Sequence, residues 1–284
     1  MEAAAGDRVR IEEGVVFGQG GGRELRCDVY HPPQAGEARS AILLLHGGAW
    51  VQGDRSQLRG YGVLLGRLGY LCVASEYRLA GESKWPAQIH DVKAALRWMR
   101  AQSAKLGIDP RRIAVSGNSA GGHLALMAAG TPDQPEFEGE GGHAEVDTDC
   151  AAVIAFYPPT WLGSGAAAMD DVSARRATLF ERGASAETVR AASPLTHARA
   201  GFPPTLLIHG SADTLVPPEA SLRMHEALAA EKVPVELHMF SGAPHGFDAG
   251  RAYGRACAQL MALFLERHGL PPAAPTLAAP SFAR

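Results

Sequence analysis

The sequence lacks several features, and each absence removes a class of function. No run of five like charges occurs in the 284 residues. Lys plus Arg (27) nearly balance Asp plus Glu (30), for a net charge of −3. A nucleic-acid partner would require a basic footprint that this chain does not have. Long hydrophobic runs are also missing. The charge-free stretch 113–132 contains Ser116, Gly117, Asn118, Ser119 and His123 and would make a poor membrane span. Glu2, Asp7, Arg8, Arg10, Glu12 and Glu13 fill the opening segment and leave no room for the apolar core of a signal peptide. The expectation is therefore a cytoplasmic chain with no stable membrane association. Cys27, Cys72, Cys150 and Cys257 stand too far apart for a zinc ribbon or a redox motif, so they are expected to be buried, reduced thiols. There is no GxxxxGK[ST] loop, no HExxH and no fixed-period repeat, so neither a metal nor a nucleotide cofactor is called for, and a solenoid is excluded.

What is present is a globular composition, 46% apolar and 20% charged. Short apolar runs at 42–45, 71–75, 113–116, 153–157, 205–209 and 235–240 alternate with longer segments of helical periodicity. The run Ile42-Leu43-Leu44-Leu45 is too apolar for a half-solvated strand and suits one covered on both faces. Segment 86–105 places Ile89, Val92, Ala95, Leu96 and Met99 at three- and four-residue steps, and 122–129, 218–231 and 253–267 read the same way. Alternating strands and helices imply an α/β fold with a mostly parallel, doubly wound sheet. Segments 9–17 and 24–30, separated by a glycine-rich turn, read as an antiparallel hairpin at the sheet edge. Gly18 to Gly22 resemble a dinucleotide fingerprint only in part, because a strand follows them where a helix would be needed. Residues 1–270 read as a single domain. Within it, 132–149 is expected to be a mobile surface loop. Segment 161–204, with helical pieces at 172–182 and 186–192, is expected to be an inserted cap. The Pro- and Ala-rich tail 271–284 is expected to be disordered.

Gly117-Asn118-Ser119-Ala120-Gly121 lies between a predicted strand and a predicted helix. A serine at that point sits on a sharp turn with its hydroxyl exposed, and small neighbours are needed to avoid the adjoining backbone. A nucleophilic hydroxyl needs a base, and the base needs an acid to fix its tautomer. Of eleven histidines, His245 follows the strand 235–240 in a loop, where open α/β sheets place their sites. His90, His225 and His268 read as surface residues on helices, and His209 as a core residue ending a strand. Asp213 directly follows the strand 205–209 and is the expected acid. Asp248, three residues beyond His245, is its rival. The order Ser119, Asp213, His245 is the order expected of an α/β-hydrolase. His46-Gly47-Gly48-Ala49-Trp50 follows the strand 42–45, and its small residues allow the Gly48 and Ala49 N–H groups, with that of Ala120, to face a developing oxyanion.

HGGAW, GNSAGG, HGSAD and PHGF, in this order and spacing, resemble the esterase branch of the α/β-hydrolase fold related to the hormone-sensitive lipase group. The nearest likeness is to feruloyl and acetyl-xylan esterase-like members and to kynurenine formamidase-like members, which carry HGGxW. The resemblance runs from about Leu25 to His268. It implies Ser119 as nucleophile, Asp213 as acid, His245 as base, and Gly48, Ala49 and Ala120 as oxyanion donors. Ala49 and Asn118 depart from the HGGG and GDSAGG of the lipase group, and the short N-terminal segment offers too little for that group's large cap. The expected activity is that of a serine carboxylesterase acting on small or short-chain esters. The alternatives are a kynurenine formamidase-like amidase and a non-catalytic ligand-binding member of the fold. Trp50, Tyr157 and Trp161, with Phe156 nearby, are the aromatic candidates for the substrate pocket. Oligomeric state is not legible.

Overall fold

A strand that is apolar at every position needs cover on both faces, and the sheet supplies it. The computed structural model describes residues 8–33, 38–132, 134–163 and 178–272. The sheet is built from β1 (Arg10–Gly20), β2 (Arg23–His31), β3 (Arg39–Leu45), β4 (Leu71–Ser75), β5 (Ile108–Asn118), β6 (Ala152–Phe156), β7 (Thr205–Gly210) and β8 (Val235–Phe240). Their spatial order is β1-β2-β4-β3-β5-β6-β7-β8, with β2 antiparallel to β1 and β4 and every other neighbouring pair parallel. Every residue of β3, β4, β6 and β7 is buried. The doubly wound, mostly parallel sheet read from the alternation is thus the one the chain adopts. The expected N-terminal hairpin stands at its edge. Gly21 and Gly22 close that hairpin at φ +58° and +80°, conformations that a two-residue turn of this hand demands and glycine adopts without steric cost.

The helices are α1 (Arg59–Arg67), α2 (Ala87–Ala101), α3 (Ser103–Leu106), α4 (Ala120–Gly130), α5 (Ala186–Ala191), α6 (Glu219–Ala230) and α7 (Arg251–Arg267). Leu65 of α1 and Cys257, Met261 and Leu265 of α7 pack on one face of the sheet. Ile89, Val92 and Leu96 of α2, Leu124 and Met127 of α4, and Met224 and Leu228 of α6 pack on the other. Helix α4 is buried along its whole length, which accounts for its run of small and apolar residues.

Three expectations are corrected. The helix read over 86–105 ends at Ala101, and a separate short turn, α3, follows and stops at Gly107, φ +68°. Strand β5 begins five residues before its apolar run, because Ile108 pairs with Arg39 ahead of a register irregularity that carries the polar residues 109–112. Of the stretch 132–149, expected to be a mobile surface loop, residues 134–149 are tied onto α2 and β1. Phe137 is buried, the Gln19 N–H donates to the Gly141 carbonyl at 3.3 Å, and Glu138 accepts from buried Lys93 and Arg97. In the 161–204 segment, the helical piece at 186–192 is present as α5, while most of the piece at 172–182 lies outside the described residues. Leu179 and Phe180 are buried there, and the Trp85 N–H donates to the Leu179 carbonyl at 2.9 Å. The tail beyond Pro272 also lies outside the described residues. No helix among the described residues is long and apolar enough to cross a membrane.

Candidate active site

Strand β5 ends at Asn118 and helix α4 begins at Ala120, so Ser119 must reverse the chain alone. It does so at φ +53°, ψ −115°, a conformation strained for any residue with a side chain. Its N–H donates to the Phe156 carbonyl at 2.9 Å. A Cβ on Gly117 would lie 2.4 Å from Gly121 backbone, and one on Gly121 would lie 2.1 Å from the Leu45 carbonyl oxygen. Glycine at both positions lets the turn close against β3.

The structure brings Ser119, Asp213 and His245 together from the ends of three strands. The Ser119 hydroxyl lies 3.0 Å from His245 Nε2, and His245 Nδ1 donates to Asp213 Oδ2 at 2.7 Å. The Asp213 carboxylate is fully shielded from solvent and also accepts the N–H groups of Leu215 and Val216, both at 2.9 Å. Burial works to raise its pKa, but the hydrogen bonds from His209 and His245 outweigh it and hold the carboxyl well below the usual carboxylate range. His209 was read as a core histidine only. It is buried, and the Ser221 hydroxyl donates to its Nδ1 at 2.7 Å. Its Nε2–H points at both the Val216 carbonyl, 2.8 Å, and Asp213 Oδ2, 3.3 Å. His209 therefore orients the acid. A strand-ending histidine four residues before the acid was the available signal.

Beside the serine, the loop after β3 turns through three consecutive left-handed residues: Gly48 at φ +112°, Ala49 at +53° and Trp50 at +61°. A Cβ on Gly48 would lie 2.0 Å from the Gln52 carbonyl oxygen. The Gly48 carbonyl accepts from Val51 and Gln52, both at 3.1 Å, which turns it into the loop. Among the described residues, the N–H groups of Gly48, Ala49 and Ala120 meet no protein acceptor. A small pocket adjoins them, lined by Ala49, Trp50, Ser119, Ala120, Pro159, Leu215 and Val216. No group of three His, Cys, Asp or Glu side chains among the described residues is arranged to hold a metal ion.

Of the aromatic candidates, Trp50 alone borders this pocket, and it is wholly buried behind it. Trp50 Nε1 donates to His123 Nδ1 at 3.3 Å, and His123 Nε2 donates to the Ala192 carbonyl at 2.8 Å, so His123 joins the turn after β3 to α4 and to the 161–204 segment. Burial pushes the His123 pKa down to about 4. Tyr157 is buried with its hydroxyl against Asp248, Trp161 stands over Gly163, and neither lines the pocket. The rival acid Asp248 does not face His245 Nδ1, where Asp213 sits. It accepts from Asn118, Tyr61 and Tyr157 instead.

The BD-FAE family pattern matches residues 27–228. The chain is 36% identical to the esterase LipC of Mycobacterium tuberculosis over 242 residues, covering 80% of this chain and 58% of LipC. It is 31% identical to the esterase LipQ of the same organism, covering 86% of this chain and 60% of LipQ. The chain thus spans less than two thirds of either mycobacterial relative. A thermophilic esterase from Thermogutta terrifontis superposes with a TM-score of 0.80 at 30% identity over 96% of both chains, and has also been solved with butyrate bound and phosphorylated by paraoxon. With its tight turn at Ser119, its strand order and the family match over most of its length, the chain belongs to the BD-FAE family and has the α/β-hydrolase fold.

Proposed function

We propose that the protein is a serine carboxylesterase that hydrolyses esters of short acyl chains through an acyl-enzyme at Ser119. The observation that carries this reading is the hydrogen-bonded series from Ser119 through His245 to Asp213, at 3.0 and 2.7 Å, set beside the left-handed turn at Gly48 and Ala49. In the first step, Ser119 Oγ attacks the ester carbonyl while His245 Nε2 takes its proton. Asp213 holds the Nδ1–H and stabilises the imidazolium that forms. The N–H groups of Gly48, Ala49 and Ala120 receive the developing oxyanion, where preorganised donors contribute most. His245 returns its proton to the leaving alcohol, and water then releases the acyl group along the same route. The Thermogutta esterase has been solved with butyrate bound and phosphorylated by paraoxon, which supports both the short acyl group and the covalent chemistry proposed here.

The pocket walls of Ala49, Ala120, Pro159, Leu215 and Val216 are small or aliphatic and the pocket is small, which favours a short acyl chain over a long one. Each methylene buried there contributes about 0.8 kcal/mol until the pocket is full. Hydrolysis of an acyl chain-length series should therefore peak at about two to six carbons by that pocket-filling argument, with paraoxon labelling Ser119. Feruloyl esters, acetylated xylan and N-formylkynurenine in the same assay separate the ester and amide readings. A peak at long chains with activation at a lipid interface, or labelling away from Ser119, would overturn the proposal.

A further inference from the structure

Asp248 takes no part in the hydrogen bonds that join Ser119, His245 and Asp213, yet it is buried against the residue before Ser119 and the tyrosine packed on His245. Its carboxylate accepts from Asn118 Nδ2 at 2.6 Å, from the Tyr61 hydroxyl at 3.0 Å and from the Tyr157 hydroxyl. Asn118 Nδ2 spends its second hydrogen on the Tyr157 oxygen, 3.0 Å away. The amide can face only one way, since reversing it would set an oxygen against the carboxylate. These three donors arrive from α1, the last residue of β5 and the residue after β6, and they meet the carboxylate on the short helical turn Phe247–Ala249 that follows His245. Asn118 immediately precedes Ser119, Asp248 lies three residues beyond His245, and the Tyr157 ring packs 4.5 Å from the His245 ring. Burial, and after it the Asp248 charge, raises the pKa of both tyrosines, so they remain protonated donors.

We propose that Asp248 is a positioning residue whose carboxylate, through Asn118 and Tyr157, ties the loop carrying His245 to the turn carrying Ser119 and so holds the 3.0 Å contact between them. The physical requirement is plain. Base and nucleophile come from segments 126 residues apart in sequence, and a misplacement of about 1 Å costs about a hundredfold in rate. A carboxylate with every donor supplied fixes both segments to one buried point. The same contact explains the asparagine before the nucleophile. Aspartate at 118 would set two carboxylates in contact, so the pair needs an amide at one position and an acid at the other.

The proposal rests on the reading of Ser119 and His245 as the reacting pair, and the test keeps the two apart. Kinetics would be compared for Asn118→Ala, Asp248→Asn, Asn118→Asp and the exchanged double variant N118D/D248N, each normalised to active sites titrated with paraoxon. Asn118→Ala and Asp248→Asn should lower kcat about tenfold to a hundredfold with KM within about twofold, as expected for misalignment without lost binding. Asn118→Asp should be at least as damaging. The exchanged double variant restores one amide and one acid, and should recover kcat to at least about tenfold above Asn118→Asp alone. A fall in thermal stability with kcat per titrated site unchanged would assign Asp248 a structural role only and overturn the proposal. So would an exchanged variant no better than the worse single substitution. If Asp248→Asn does not fold, Asn118→Ala decides, and kcat within twofold of the parent refutes it. An active Ser119→Ala control would instead remove the underlying reading.

Discussion

Two buried charge clusters in this molecule invite comparison. At the C-terminal ends of β5 and β7, Asp213 meets His245 and His209, with Ser119 at the mouth. On the flank of α2, Lys93 and Arg97, 0% and 2% exposed, share Glu138 and the carbonyls of Thr131, Gly142 and Glu138 itself. Both bury charged groups among hydrogen-bond partners, but they differ in what they set beside a cavity. The strand-end cluster sets Ser119, whose hydroxyl lies within reach of His245 Nε2, and the turn residues Ala49 and Ala120 beside a pocket. In the α2 cluster Glu138 and backbone carbonyls take up the two cations, Arg97 Nη2 is left without a partner among the described residues, and Glu138 alone of the three side chains reaches the neighbouring cleft. The first arrangement can act on a substrate, whereas the second holds the 134–149 segment in place.

The largest effect expected is at the strand ends. Ser119→Ala should lower kcat about 10⁶-fold, with the denaturation midpoint unchanged or raised, since it removes the nucleophile and leaves the fold alone. Loss of cooperative unfolding would show that the two clusters do not divide the labour in this way. Next comes Asp213→Asn, expected to cost about 10⁴ in kcat by favouring the wrong histidine tautomer. The same substitution bears on acid stability. The folded Asp213 pKa is depressed, so its contribution is present above the unfolded carboxylate value of about 4 and is lost as pH falls below it. The variant should show a shallower loss of stability at acid pH, read by urea titration at several pH values.

The α2 flank should respond in the opposite sense. Glu138→Ala should destabilise the protein by about 3 kcal/mol by leaving Lys93 and Arg97 without their carboxylate. The figure is at the low end because Glu138 is itself partly exposed and burial has already lowered the Lys93 pKa. Activity per titrated site should stay within twofold, and a large fall in kcat at full folding would couple the two clusters. An effect no larger than this, and confined to acid pH, concerns His123, which bonds both Trp50 and the inserted segment. Its pKa is about 6.5 unfolded and about 4 folded. The unfolded chain therefore binds the extra proton between those values, and stability should fall as pH drops through that window by up to about 3 kcal/mol. His123→Asn keeps an acceptor for Trp50 Nε1 but does not titrate, and should flatten that stretch of the profile. An unchanged slope would assign it to other histidines.

Much of the site was legible because its residues are bound to local chain geometry. A serine that must reverse the chain between strand and helix needs glycines on either side, so GNSAGG announces its own turn. Asp213 and His245 lie in the loops that leave β7 and β8, so strand direction places both at the sheet's C-terminal edge. The parallel sheet was legible for a related reason, since runs such as Ile42 to Leu45 admit only cover on both faces. Residues that work through distant partners left no such mark. His209 is a strand-ending histidine in sequence, and its bond to Asp213 exists only once the following loop folds back. Asp248 looked like a rival acid because proximity to His245 in sequence says nothing about which way a side chain faces.

The sequence by itself determined the alternation of strands and helices, the hairpin, the nucleophile turn and the order of Ser119, Asp213 and His245, because each follows from local periodicity or steric need. Tertiary structure alone decided that Lys93 and Arg97 are buried, that 134–149 packs on α2, and that Tyr157 turns to Asp248 and not to the pocket. A charged side chain on a helix carries the same local signal whether water or a folded loop covers it. What decides is the desolvation of ions and the partners brought up from far along the chain, and neither is encoded in any short window of residues.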